Sequence, residues 1–299
     1  MIELNISYAL KKLQATLNYS DEEIMRILNV TKKTLDNYKI RHTNPTPQII
    51  KEIISLIENN KLNIYDLLDI EQDDGYLFHG SKTGGLIGKI STLINKNEPN
   101  DFDNGFYLSD SLRNAVSYVI DQNKPVIYRF KKGDVLKGRL YDFSLMKNGE
   151  IDWIIYIGLN RRKMLNEDDE RFFKEYYDEK FSNFDVLTGE IADSYNFDVL
   201  NDFFNNLKDL DETRKALLLA NIGPQFVMKN EKYANDLQWS EVYVIERNLK
   251  NYLVELVKTK RTVLKKNRND ISSNHIFDKV KTFENVKRKI KEEYEQRRA

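Results

Sequence analysis

The chain has 299 residues, with 47 basic and 47 acidic side chains, so its formal charge is zero. That balance excludes a chain that coats nucleic acid by bulk electrostatics, which would be strongly basic. A hydrophobic content of 40% excludes a disordered chain, and the length predicts about two domains.

The first seventy residues read as short helices. Ile6, Ala9, Leu10, Leu13 and Leu17 fall at helical spacing. Ser20 and Glu23 have the spacing of a capping box, ahead of Ile24, Ile27 and Leu28. After a break at Asn29 and Val30, Thr31 caps a third helix from Lys32 to Lys39. A loop from His42 to Pro47 leads to a fourth helix over about Gln48 to Ile57. The tight turn between the second and third helices gives a helix-turn-helix pattern. Its second helix carries Lys32, Lys33, Asn37 and Lys39, types that reach phosphates and base edges. Residues 1–70 hold 9 basic and 9 acidic side chains, so DNA and a protein partner are equally open here.

Residues 71–246 alternate short β-type runs (Tyr76–Phe78, Val126–Phe130, Phe184–Leu187, Phe226–Met228, Val242–Ile245) with helical patterns near 110–121, 150–163, 196–207 and 212–220. Strands and helices without a regular βαβ period predict an α+β fold. No dinucleotide-binding glycine fingerprint and no P-loop occurs. Residues 247–299 are basic and read as two helices, with Leu249, Leu253, Leu256 and Val257 striping the first and Val280, Phe283, Val286 and Ile290 the second.

Composition narrows the chemistry. The lack of cysteine excludes disulfides and thiolate nucleophiles, and His42, His79 and His275 are too scattered to predict a metal site. No apolar run approaches the ~20 residues of a membrane helix. The N-terminal segment has no signal-peptide core, which predicts a cytoplasmic protein without membrane contact.

Three segments of the middle region stand out. In Leu77-Phe78-His79-Gly80-Ser81 a strand ends in a histidine, and the glycine would let a ligand approach the backbone closely. In the segment Asn104 to Asp110, an Asn-Gly turn precedes Tyr107, and Ser109 or Asp110 can cap the following helix. On that helix Leu112, Ala115, Val116 and Val119 form the buried stripe, and Tyr118 points about 120° away from its centre. Tyr107 and Tyr118 could wall a slot for a flat ring. In the third segment, Gly223-Pro224 opens a strand with Gln225 at its mouth.

Taken in order, these segments resemble the ADP-ribosyltransferase superfamily, in the branch named for its His–Tyr–Glu triad, which includes the poly(ADP-ribose) polymerases and diphtheria toxin. The eleven-residue step from Tyr107 to Tyr118 matches those polymerases. The pattern also resembles an uncharacterised bacterial family with His-Gly-Ser/Thr, then Asp-Phe-x-x-Gly-Phe-Tyr, then Asp-Val-x-x-Gly-x-x-Ala-Asp, here Asp185 to Asp193. The resemblance spans roughly residues 75–245. It implies a split β-sandwich that binds NAD as co-substrate, without a metal. By position, His79 would orient the ribose and Gly80 take the nicotinamide carboxamide. Ser81 and Ala115 would support the pocket, and Tyr107 and Tyr118 would sandwich the ring. His79, Tyr107 and Gln225 would be the catalytic set. Gln225 departs from the family's glutamate. An amide can hydrogen-bond a ribose hydroxyl but cannot act as a base. Glu190 and Glu231 are acidic candidates nearby in sequence.

The function implied is NAD-dependent mono-ADP-ribosylation of a protein, RNA or DNA acceptor. Beside a helix-turn-helix it suits a bacterial toxin or phage-defence effector, with an antitoxin or other regulatory partner. The alternative is a helix-turn-helix transcriptional regulator whose middle domain senses NAD without turning it over. The expected domains are 1–70, helical; 71–246, transferase-like; and 247–299, a basic helical tail.

Overall fold

The computed structural model describes residues 2–70, 73–82, 90–93, 99–161, 165–245, 247–267 and 277–298. His275 lies outside the described residues. Helices α1 (Ile6–Leu17), α2 (Asp21–Leu28), α3 (Lys32–Lys39) and α4 (Pro47–Asn59) follow from their caps. Ser20 and Glu23 exchange the two bonds of a capping box, and Thr31 and Thr46 accept from the third N–H of α3 and α4. Asn18 and Asn29 close α1 and α2 with φ of 54° and 51°, the left-handed region that asparagine tolerates.

The remaining elements are, in chain order, β1 (Tyr76–Ser81), β2 (Phe106–Ser109), α5 (Leu112–Val119), β3 (Val126–Lys131), α6 (Lys132–Val135), β4 (Leu140–Asp142), α7 (Gly149–Asn160), α8 (Glu167–Phe181), β5 (Val186–Glu190), α9 (Asp198–Phe204), α10 (Leu210–Leu217), β6 (Pro224–Met228), α11 (Glu231–Asp236), β7 (Trp239–Val244), α12 (Arg247–Asn267) and α13 (Phe283–Arg298). The strands form one sheet in the order β4-β5-β6-β2-β1-β3-β7, antiparallel except for β4–β5. The fold is therefore α+β.

The sheet has a weak seam at its centre. β1 pairs with β3 from Tyr76 to Ser81, and β2 pairs with β6 along its whole length. β1 and β2 meet at a single position, Phe78 against Ser109. Two half-sheets are thus joined at one residue pair.

Alternation along each strand sorts the cores. Leu77, Phe106, Leu108, Tyr128, Phe130, Phe226 and Met228 bury one face. On the other, Phe78 and Ile127 pack with the N-terminal helices, α5 and α12, while Leu187 and Val227 pack with α7 to α10 and α13. The N-terminal helices and the β1–β3–β7 half-sheet therefore share one continuous apolar cluster.

Four elements were not anticipated, α6, β4, α8 and α11. The strand expected from Phe184 begins instead at Val186, and Phe184 packs edge-on against Tyr141 at 5.1 Å.

Candidate functional site

The site is built around the seam between β1 and β2. His79 is only 7% exposed, its ring stacked on Phe106 at 4.1 Å and tilted against Tyr128 at 6.2 Å. Its Nδ1 lies 2.8 Å from the Tyr107 carbonyl oxygen. A carbonyl only accepts, so Nδ1 carries the proton, and the neutral ring keeps its lone pair on Nε2. Burial pushes the imidazole pKa down to about 4, against the opposing pull of that hydrogen bond. A β1 side chain thereby satisfies a β2 backbone carbonyl across the seam.

Gly80 has a reason within the fold itself. A Cβ there would lie 2.4 Å from the Ala115 carbonyl oxygen and 2.9 Å from Val119 Cγ1. The packing of α5 by itself requires the missing side chain. Ser81 is buried and pairs with Val126. On α5, Ala115 is buried and Tyr118 is 47% exposed, with the Lys82 ammonium 4.3 Å above its ring.

Tyr107 is half-buried on the opposite sheet face from His79, packed against the Leu187–Val227 core. Its hydroxyl donates to the Asp103 carbonyl at 2.6 Å and accepts from the Phe102 N–H at 3.1 Å, closing the Asn-Gly loop. Burial raises the phenol well above its usual value. α5 starts after Ser111, whose side chain makes no capping bond. Ser109 Oγ instead accepts from Ser111 N–H and from Asn114 Nδ2, which also reaches the Ile222 carbonyl at 2.8 Å. Asn114 so ties α5 to the mouth of β6.

Gln225 stands opposite Ser109 and is 6% exposed. Its Nε2 donates to Asp101 Oδ2 at 2.9 Å and to the Glu190 carbonyl at 3.4 Å. Asp101, 2% exposed, also accepts from Arg161 Nε and Nη2 at 2.9 and 2.6 Å and from the Ala192 N–H at 3.2 Å. Sequence reasoning did not single out Asp101 as a site residue, although it opens the Asp-Phe-x-x-Gly-Phe-Tyr segment. Its carboxylate joins three motif segments.

Of the two acidic candidates, Glu190 flanks the site, opposite Pro224, and burial with the neighbouring Asp110 charge raises its carboxyl. Glu231 lies apart, accepting from the Thr92 N–H and hydroxyl at 2.6 Å each. In the helix-turn-helix, Lys32 and Lys39 both bond to Asp21, which they hold well below the usual carboxylate range. Lys33 is exposed and Asn37 half-buried.

Residues 76–239, more than half of the chain, match the family described as "Protein of unknown function (DUF3990)", and the chain belongs to it. The match runs from the first residue of β1 to the first of β7 and contains the whole seam. No curated protein and no solved structure matches the chain. Among the described residues no cluster of His, Cys, Asp or Glu could hold a metal ion, and no helix is long and apolar enough to cross a membrane.

Proposed function

We propose that the chain is an NAD-dependent mono-ADP-ribosyltransferase. One observation carries this reading. The His-Gly-Ser strand, the tyrosine strand with its helix, and the Gln225 strand, far apart in sequence, meet at the one-pair seam between β1 and β2. The residues suit a dinucleotide. A neutral imidazole and an amide match sugar hydroxyls, an exposed tyrosine matches a flat ring, and Lys82 supplies positive charge for phosphate.

NAD supplies an ADP-ribosyl group: its bond to nicotinamide breaks with the electron pair leaving on nicotinamide, while a lone pair of the acceptor forms the new bond and the acceptor proton passes to solvent. His79 accepts a hydrogen bond from a ribose hydroxyl at Nε2 and stays neutral throughout the physiological range. Tyr118 stacks on the leaving ring, and Tyr107 holds the Asn-Gly loop beside it through its hydroxyl. Gln225 hydrogen-bonds the ribose without acting as a base. A site without a basic group at this position suits an acceptor that is already nucleophilic, and transfer of single units. The N-terminal helices would direct the activity, by contact with DNA or with a regulatory protein such as an antitoxin, in a bacterial toxin or phage-defence role.

The test is incubation with NAD labelled in the ADP-ribose moiety and cell lysate, followed by separate protease and nuclease digestion. Label released only by protease identifies a protein acceptor, and label released only by nuclease identifies RNA or DNA. Absence of label together with a sequence-specific DNA footprint would replace this reading with an NAD-sensing transcriptional regulator.

A further inference from the structure

We propose that Asp101 is the positioning residue of the Gln225 side chain, and that it makes glutamine rather than glutamate the residue this site can hold. Gln225 Nε2 faces two groups, the Asp101 carboxylate at 2.9 Å and the Glu190 carbonyl at 3.4 Å. Both are obligate acceptors, so the orientation of the amide follows from chemistry. Both N–H bonds are spent inward, and the carbonyl oxygen Oε1 is the group that Gln225 offers to a donor such as a ribose hydroxyl. In this respect the amide reproduces the acceptor face of a carboxylate without its charge.

The charge is already present one residue away. Asp101 is anchored by Arg161 and by the Ala192 N–H. A glutamate at position 225 would bring a second carboxylate oxygen to the place of Nε2, beside Asp101 Oδ2. Two carboxylates at that distance cannot both ionise, so one would have to hold a proton. The departure at the third motif is then a compensated pair, with the negative charge moved from the strand to the loop before β2. This rests on the NAD reading only for the identity of the donor; the exclusion of glutamate stands on the geometry alone.

Four proteins test it: the wild type, Gln225→Glu, Asp101→Asn, and the double variant that exchanges the charge. Each is melted at about pH 5.5 and about pH 8 and titrated with NAD by calorimetry. Gln225→Glu is expected to lose on the order of 5 °C more at the higher pH than at the lower. The double variant, in which the pair again carries a single carboxylate, is expected to lose that extra pH dependence. Asp101→Asn frees the amide to turn, and NAD affinity should fall at least about tenfold. The double variant should return to within about threefold of wild type. Gln225→Glu melting with the wild-type pH dependence, or Asp101→Asn binding NAD as wild type does, overturns the proposal. A wild type that binds no NAD overturns the proposed function instead, and the melts still decide whether Asp101 excludes glutamate.

Discussion

Protonating His79 would place a charge between Phe106 and Tyr128, away from water. An unfolded chain takes up that proton near pH 6.5, and the folded one only near pH 4. The unfolded state therefore binds the proton first. The associated stability is complete above pH 6.5 and is lost as pH falls from there through 4, by about 3 kcal/mol in all. His79→Asn keeps a donor in the position of Nδ1 but does not titrate. Urea unfolding at pH 7 and pH 4.5 should show a loss on acidification smaller by about 2 kcal/mol in the variant than in the wild type; equal losses would mean that the ring is not buried as described. Gly80 offers a second test at this scale. An alanine there meets the Ala115 carbonyl oxygen at 2.4 Å, whereas an alanine at Gly133 meets nothing within 4 Å. Gly80→Ala should cost about 1–3 kcal/mol in chemical denaturation, and Gly133→Ala should be neutral or stabilising by up to about 1 kcal/mol.

At the scale of elements, what was legible in the sequence was local. Ser20 with Glu23, and Thr31, state where α2 and α3 begin because a cap is a contact across three residues. Ser20→Ala, which removes the cap, should cost about 1 kcal/mol, read as a lower urea midpoint with an unchanged slope. Tyr118 was legible in the same way, since helical spacing alone puts it off the buried stripe. β4 was not, because three residues at a sheet edge have no period to display. α8 was hidden by composition: ten of its fifteen residues are charged, which dilutes the stripe of Phe173, Tyr176, Tyr177 and Phe181. Asp101 was out of reach as a partner of Gln225, because Asp101, Arg161, Ala192 and Gln225 are joined only by tertiary folding. Gly80 was recognised as special, but the element that needs it, α5, begins only at Leu112.

Across the whole molecule, the zero net charge is a sum of unlike parts. Residues 71–246 carry 22 basic and 31 acidic side chains, and residues 247–299 carry 16 and 7. The structure brings part of this asymmetry together. α13 buries Phe283, Val286, Ile290 and Tyr294 in the core formed with α7 to α10. Its cations meet the acids of α8: Lys287 and Lys291 reach Asp169 at 2.8 and 3.3 Å, and Arg298 reaches Glu175 and Glu179. Burial alone would raise the Asp169 carboxyl, but the bonds from Lys287, Asn166 and Lys291 outweigh it and hold the group below its usual value. The two kinds of pair differ in weight. Asp169 is almost fully buried and Lys287 is 14% exposed, whereas both partners of the Arg298 pairs are more than half exposed. Asp169→Ala should therefore cost on the order of 2 kcal/mol, because it removes a buried carboxylate that bonds Lys287, Lys291 and Asn166 and leaves Lys287 with the exposed Glu284 alone. Arg298→Ala should stay within about 0.5 kcal/mol, with thermal melts at matched salt separating the two.

The central claim, that the seam between β1 and β2 receives NAD, is tested most directly by calorimetric titration of NAD into wild type and Tyr118→Ala. Tyr118 is 47% exposed, so its removal should leave the melting temperature nearly unchanged. If the seam is the site, wild type binds one NAD per chain and the variant binds about tenfold more weakly, through lost stacking. No binding by the wild type, or equal binding by both proteins, would contradict it.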